Sequence, residues 1–175
     1  ARFPSLVLAT EHDRWSSDLR ILCVHQCLEG ATCGPGNFTF RGGDDVVRTA
    51  DLTGGFAAVL SGHIHRHQVL RAPGVPPVVY AGSIERTSFA EAAETKGTVV
   101  LELDRTGVRA IEFLPLPARP MVILRLSLAG LDAAEAGARV EQAIGGTPHD
   151  AVVQLRIEGA VPPDAASRLA AYAAA

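Results

Sequence analysis

The segment FAAVLSGHIH at residues 56–65 decides the predicted fold of this chain. Its first half, residues 56–60, is an apolar run of strand length that ends in Ser61-Gly62-His63. A second apolar run, residues 19–24, ends in the same way at His25. Short continuous apolar runs are typical of buried strands in a parallel sheet. The sequence therefore predicts two buried strands that each end in a histidine.

The stretch between these two strands favours a crossover connection. A Gly-rich segment occupies residues 30–43, and residues 44–52 follow it with three apolar positions, Val46, Val47 and Ala50. An Asp at residue 44 or 45 is suited to cap a helix there. The predicted order is strand, crossover helix, strand.

Three further strands are predicted downstream, at residues 78–81, 98–103 and 108–114. Residues 104–107, Asp-Arg-Thr-Gly, have the composition of a turn, so the last two strands are expected to pair as an antiparallel hairpin.

Three prolines at positions 115, 117 and 120 then interrupt the pattern, because proline ends hydrogen-bonded elements. We expect a domain boundary there, separating residues 1–116 from residues 117–175. The second part contains predicted strands at 121–128 and 151–157 around a predicted helix at 132–144. The Ala-rich residues 164–175 favour another helix without a stop signal. The predicted fold class is α/β, with a small α/β unit at the end.

Composition limits the possible functions. The 175 residues carry a net charge of −3, which argues against a free-standing nucleic-acid-binding module, so any DNA contact must be local. No apolar run approaches the roughly 20 residues of a membrane-spanning helix. Three clustered cysteines are a poor disulfide framework, and a reducing cytoplasm is the expected location. The chain begins with Ala and shows no leader pattern, and we expect truncation at both ends.

The residues with chemical potential are the histidines at the strand ends. In Gly62-His63-Ile64-His65, an extended backbone places both imidazoles on one side, within reach of a shared metal site. Gly62 lets the backbone approach an ion closely. Ligands collect outside the carboxyl ends of strands in open α/β sheets, and His25 lies at such an end too. The pattern favours metal binding.

Several alternatives compete with this interpretation. His-x-His also occurs by chance. A rival zinc site would combine His25 with Cys23, Cys27 and Cys33, but their spacing does not match the Cys-x2-Cys pattern, and Cys23 is expected to be buried. His67 is expected to face solvent or substrate rather than a metal. His12 and His149 are predicted to be surface residues.

Three blocks in a fixed order carry a family resemblance. They are Val24-His25-Gln26-Cys27-Leu28-Glu29-Gly30, then Leu60-Ser61-Gly62-His63-Ile64-His65, then Tyr80-Ala81-Gly82-Ser83-Ile84-Glu85-Arg86 with Phe89-Ala90-Glu91. Together with Lys96-Gly97 and the proline-rich passage, these blocks resemble the last signature motifs of calcineurin-like metallophosphoesterases of the SbcD DNA-repair nuclease type. The resemblance covers roughly residues 20–120.

The resemblance implies half of a metallophosphoesterase β-sandwich flanked by helices, followed by the start of a DNA-capping unit. It implies that His25 and His63 bind one ion of a dinuclear centre, usually manganese, and that His65 binds the other. No catalytic residue beyond these ligands is implied. DNA as substrate, an SbcC-type ATPase partner and a homodimer are also implied.

Basic residues near the histidines suggest a local phosphate-binding surface. Arg66, His67 and Arg71 follow the predicted metal ligands, and Arg41, Arg48 and Arg86 are expected to lie nearby. Arg66, His67 and Arg86 are the candidate substrate contacts. Solvated surface arginines are the alternative, and Ser83 with Arg86 could instead form a turn that supports the His63 segment.

The chain departs from the family in one respect. The family's Asp-x-His, bridging Asp and Gly-Asn-His motifs are missing, and the single asparagine, Asn37, lies after His25 instead of before it. Three neutral imidazoles leave two ions under-coordinated, so we expect weak metal binding and little hydrolysis from these 175 residues. Two further hypotheses stay open: a metallophosphoesterase acting on nucleotides or other phosphate esters, and a catalytically silent binding or scaffold module.

Overall fold

The computed structural model describes residues 3–52 and 55–159. Within them the chain forms two compact units: the first runs to residue 86 and includes residues 93–118, and the second comprises residues 87–92 and those from 119 onward. The fold is mixed, with several small sheets and few helices, which confirms the α/β class. The helix predicted at residues 164–175 lies outside the described residues.

The first unit consists mostly of short strands. Its elements are α1 (Phe3–Ala9), β1 (Ile21–Val24), β2 (Cys27–Leu28), β3 (Thr32–Cys33), β4 (Phe38–Thr39), β5 (Val46–Val47), β6 (Ala58–Ser61), β7 (Gln68–Leu70), β8 (Val78–Tyr80), β9 (Gly97–Asp104) and β10 (Gly107–Pro115), with short 3-10 turns at His12–Arg14 and Thr49–Asp51.

A four-stranded sheet in the order β1-β6-β8-β7 organises the first unit. β1, β6 and β8 are parallel, and β7 runs antiparallel to β8. The strands predicted at residues 19–24, 56–60 and 78–81 are therefore confirmed. In the register of β1 and β6, Val24 lies beside Ser61, so the histidines that follow these strands leave the same edge of the sheet.

Burial differs sharply between the strands of this sheet. β6 and β8 lie in its interior and are largely buried, as their continuous apolar sequences predict. β1 is an edge strand with alternating exposure, and both Ile21 and Cys23 are exposed. The predictions of a buried strand at residues 19–24 and a buried Cys23 were wrong, because an edge strand packs only one face against the core.

The predicted crossover helix at residues 44–52 does not form. Val46 and Val47 form β5, which pairs in parallel with Cys27 and Leu28 of β2, and a 3-10 turn follows. The two adjacent β-branched residues prefer extended backbone, and pairing with β2 satisfies their backbone groups. Local helix propensity was overridden by this tertiary contact.

The hairpin predicted downstream is confirmed. β9 pairs antiparallel with β10, and the Asp104 carboxylate accepts bonds from both the amide and the hydroxyl of Thr106 in the connecting turn. Gly107 adopts a φ of 122°, which explains the glycine at that position.

The second unit is a strand–helix–strand arrangement. β11 (Met121–Ser127) pairs in parallel with β12 (Val152–Glu158), and α2 (Ala133–Gly145) connects them. Asp132 and Glu135 form a reciprocal capping box that begins the helix, and Leu128, Ala136 and Val140 form the buried core. The strands and helix predicted here are confirmed, and a 3-10 turn at Phe89–Glu91 belongs to the same unit.

No helix in the part of the chain that the structure describes has both the length and the apolar character needed to cross a membrane.

Candidate metal centre

The imidazoles of His25 and His63 meet beyond the carboxyl ends of β1 and β6. Their ring centroids are 5.3 Å apart and the ring planes are inclined by 75°. The Gly62 amide donates to the Val24 carbonyl at 3.0 Å, which continues the parallel pairing to the point where both histidines leave the sheet. The juxtaposition therefore follows from strand order and register.

Gly62 makes this close approach possible. A Cβ atom at position 62 would lie only 2.6 Å from His25 Nδ1, so any larger residue would displace the His25 ring. The glycine was predicted to allow backbone to approach an ion. In the structure, it allows backbone to approach a candidate ligand.

His63 has a strained backbone. Its φ is 75°, and the Ile64 amide donates to the Gly62 carbonyl at 3.0 Å, which closes a three-residue γ-turn around His63. A positive φ is uncommon for a residue with a side chain, and such strain is found preferentially at functional sites. The turn holds an exposed imidazole facing away from the core.

Ile64 anchors this segment from below. It is buried in the core of the first unit, whereas His63 and His65 on either side of it are exposed. Both histidines are exposed, but the γ-turn at His63 replaces the extended backbone that the sequence predicted for His-x-His. However, in residues 3–52 and 55–159 no three His, Cys, Asp or Glu side chains are grouped so that they could hold a metal ion. The structure thus pairs His25 with His63 without adding His65 as a third ligand.

The donor set fits only part of a metal site. Structural or catalytic zinc takes three or four protein ligands, and manganese also favours carboxylate and other oxygen ligands. Two imidazoles meet here, and no carboxylate in the described residues completes the group. The pair therefore supplies two of the three or four ligands that a metal site of this kind needs.

Buried hydroxyl groups fasten the chain just after His25. Tyr80 Oη donates to the Gln26 carbonyl at 2.9 Å and accepts from the Leu28 amide at 2.9 Å. Ser61 Oγ donates to the same Gln26 carbonyl at 2.9 Å. Burial raises the pKa of Tyr80 above its ordinary value, so the hydroxyl remains a neutral donor. These bonds tie the His25 segment to β6 and β8.

Arg66, a candidate phosphate contact, is bound mainly to protein atoms. Its Nε donates to Glu94 Oε1 at 2.9 Å, Nη1 to Asn37 Oδ1 at 2.7 Å and Nη2 to the Gly34 carbonyl at 2.7 Å. The guanidinium thereby joins the 62–67 loop to the Gly-rich segment. Phosphate binding by Arg66 stays a prediction, and the observed bonds assign it a structural role.

His67 points into the protein. Its Nδ1 lies 2.9 Å from the Tyr80 carbonyl, and its ring stacks on Phe113 with centroids 4.2 Å apart and planes 11° from parallel. The ring is thus half-buried against the protein rather than turned fully to solvent, and contact of His67 with substrate stays a prediction.

Ser83 and Arg86 contact the 62–67 loop and its neighbour Glu94, in line with the alternative in which they support the His63 segment. The Ser83 amide donates to the His65 carbonyl at 3.1 Å, and Arg86 Nη2 donates to the Glu94 carbonyl at 2.9 Å. Arg41, Arg48 and Arg71 are exposed.

Sequence reasoning missed two residues beneath the loop, Glu94 and Lys96. Lys96 Nζ donates to the His65 carbonyl and to Glu94 Oε2, each at 3.1 Å. The only sequence signal was that Lys96 falls within the family-like Lys-Gly pair. A buried lysine cannot be distinguished from a surface lysine by composition.

Other predictions for histidine and cysteine have mixed outcomes. His12 was predicted at the surface but is only 5% exposed and stacks on Phe56, whereas His149 is exposed as predicted. The three cysteines are free thiols. Cys27 is buried, and burial with nearby Cys33 raises the pKa of its thiol. The rival zinc site is not formed among the described residues.

No protein-family model matches this chain, and no curated protein matches it either.

Proposed function

We propose that this chain is the second half of a two-metal phosphodiesterase domain of the SbcD nuclease type, followed by the start of a capping unit. The observation that carries the proposal is the meeting of His25 and His63, 5.3 Å apart, beyond two adjacent parallel strands. Gly62 and the strained γ-turn at His63 support it, because both features maintain the imidazole pair at a cost to the backbone.

In this proposal His25 and His63 bind one divalent ion, manganese in the family, and His65 contributes to a neighbouring ion. The ions would lower the pKa of a bound water and neutralise charge on the phosphodiester. The residues of this chain supply and orient imidazoles. The missing carboxylate, bridging Asp and Asn-His ligands must come from sequence outside these 175 residues.

The finer fold follows the same proposal. The β1-β6-β8-β7 sheet would be one layer of a metallophosphoesterase sandwich, and the strand–helix–strand unit would begin the cap over DNA. An SbcC-type ATPase partner, a homodimer and a cytoplasmic location belong to the proposal through the family resemblance.

The first test of the proposal is the gene sequence upstream of the codon for Ala1. The reading frame upstream of Ala1 is expected to encode Asp-x-His, a bridging Asp and Gly-Asn-His in that order, and their absence would refute the enzyme. Next, the product of the complete frame is expected to nick plasmid DNA with Mn²⁺. His63→Ala should abolish nicking, whereas His149→Ala, at an exposed position outside the site, should retain it.

A silent binding or scaffold module is the second candidate. It is motivated by the sequence, in which no Asp-x-His or Gly-Asn-His motif accompanies the histidines. The same assay separates the two: a complete product that binds DNA or an ATPase partner but does not cleave supports the module. Cleavage of nucleotides without cleavage of DNA would instead support the phosphate-ester alternative.

A further inference from the structure

Lys96 is the most deeply buried charged residue near the candidate centre. Its side chain has 0% exposure, and its Nζ lies 3.1 Å from the His65 carbonyl oxygen and 3.1 Å from Glu94 Oε2. Removing an ammonium group from water is costly unless it is paired and hydrogen-bonded. Both conditions are met here by groups belonging to or facing the 62–67 loop.

Glu94 links this ammonium to a second cation of the loop. Its Oε1 accepts from Arg66 Nε at 2.9 Å while Oε2 accepts from Lys96, and the Glu94 side chain is only 12% exposed. We call Arg66, Glu94 and Lys96 the support cluster. It holds the loop at the side chain of Arg66 and at the backbone of His65.

The His65 carbonyl therefore receives two donors, Lys96 Nζ and the Ser83 amide. With both lone pairs engaged, the peptide plane after His65 has a defined orientation. Gly82 packs against the same backbone, since a Cβ there would lie 2.8 Å from the His65 oxygen and from the His67 nitrogen. The backbone of the loop is thus held in one conformation by protein contacts alone.

We infer that Lys96 is a positioning residue for the candidate metal ligands. Acting through the His65 carbonyl and Glu94, it holds the 62–67 loop in the conformation that presents His63 and His65. The role of those two imidazoles as ligands rests on the proposed function, whereas the effect of Lys96 on the loop does not.

The alternative is that the Lys96–Glu94 ion pair stabilises the fold as a whole without positioning the loop. Replacing buried ion pairs by apolar side chains of similar size often leaves stability unchanged, so stability alone does not reveal a positioning role. The distinguishing observable is the local opening of the loop.

The test uses the 175-residue chain with Lys96→Met, which keeps an unbranched side chain only one atom shorter and removes the charge. The matched control is Arg105→Met, which removes an exposed cation paired with Asp18 at 3.6 Å. Amide hydrogen exchange is measured for Ile64 and Ser83, which report the γ-turn and the His65 carbonyl, and for strand amides of β9 and β11. Glu94→Gln, which retains acceptors, serves as a milder variant.

In Lys96→Met we expect exchange at Ile64 and Ser83 to accelerate by about tenfold or more, with the strand amides changing less than about twofold. Glu94→Gln should give a smaller acceleration at the same amides, and Arg105→Met none. Unchanged exchange at Ile64 and Ser83 would overturn the inference. So would an equal acceleration at all amides, because that would indicate only global destabilisation.

Titration with diamagnetic Zn²⁺, followed by the ¹⁵N chemical shifts of the histidine rings in the product of the complete reading frame, separates this inference from the proposed function. We expect the wild-type product to show shifts at His25, His63 and His65, and Lys96→Met to lose the shift selectively at His65. No shift in the wild-type product would refute metal binding, while the exchange data would still decide the positioning role. Equal shifts at His65 in the two proteins would count against the positioning role.

Discussion

The two sides of the 62–67 loop differ in what holds them. On the exposed side, His25 and His63 meet through ring contact alone, and His63 sits on a strained γ-turn. On the buried side, the support cluster, the Ser83 amide and Gly82 secure the same backbone through charged hydrogen bonds and close packing. The difference teaches that the two exposed imidazoles are held in place by the buried backbone beneath them rather than by contacts with each other.

The largest loss of stability is expected when the support cluster is disrupted. Glu94→Ala removes the carboxylate between Arg66 and Lys96 and leaves a buried ammonium without that partner. The free energy of unfolding should fall by about 3 kcal/mol or more. Urea unfolding followed by circular dichroism measures this.

The control for that change is Glu102→Ala, at an exposed position of β9, which should alter stability by less than about 0.5 kcal/mol. The double variant Glu94→Ala with Lys96→Met should recover much of the loss. If the double variant is no more stable than Glu94→Ala, Lys96 is not the charge that Glu94 compensates.

A slightly smaller effect is expected from Gly82→Ala. Gly82 has a φ of 83°, and the added Cβ would lie 2.8 Å from two backbone atoms of the loop. Backbone strain and overpacking together should cost about 2–4 kcal/mol in urea unfolding. Gly74→Ala is the matched control, because its φ is 72° with open space around it, and it should cost only about 1 kcal/mol. Equal losses in the two variants would show that the loop does not press on Gly82.

The free energy of unfolding should decrease gradually at alkaline pH. Burial raises the pKa of the Cys27 thiol and of the Tyr80 hydroxyl, so the folded state holds these protons more tightly than the unfolded state. Stability is then fully present below about pH 7.5, where both groups are neutral in either state, and decreases as pH rises through the unfolded-state pKa of cysteine and then of tyrosine. The urea midpoint measured from pH 7.5 upward should show this decrease.

Tyr80→Phe and Cys27→Ala should each reduce the slope of that decrease, whereas Cys23→Ala, at an exposed thiol, should leave it unchanged. If all three variants keep the wild-type slope, groups other than Cys27 and Tyr80 cause the loss of stability at alkaline pH.

The smallest change in stability is expected on the exposed side. His63→Asn removes the imidazole but keeps a residue that tolerates positive φ, so stability should stay within about 0.5 kcal/mol of the wild-type value. In the product of the complete reading frame, the Zn²⁺-induced ¹⁵N shift of the His25 ring should disappear, since its neighbouring imidazole is gone. A large loss of stability would show that His63 supports the fold rather than a ligand.

Much of the fold could be predicted from patterns that are local in sequence. The strands β6 and β8, the β9–β10 hairpin and helix α2 with its Asp132 cap all follow from apolar runs, turn residues and capping chemistry. The segment at residues 44–52 could not be predicted in this way, because pairing of Val46 and Val47 with β2 competes with a local helix. Pairing partners distant in sequence leave no local signal.

The sequence by itself determined that two histidines follow two apolar strands, that Gly62 directly precedes the second of them and that no Asp-x-His or Gly-Asn-His motif occurs in these 175 residues. Only the tertiary structure decided that His25 and His63 meet, that His67 faces inward onto Phe113, and that Arg66 is bound by Glu94, Asn37 and Gly34. Only the structure showed Lys96 beneath His65, because burial and charge pairing depend on strand order and on contacts between residues far apart in sequence, here 31 positions.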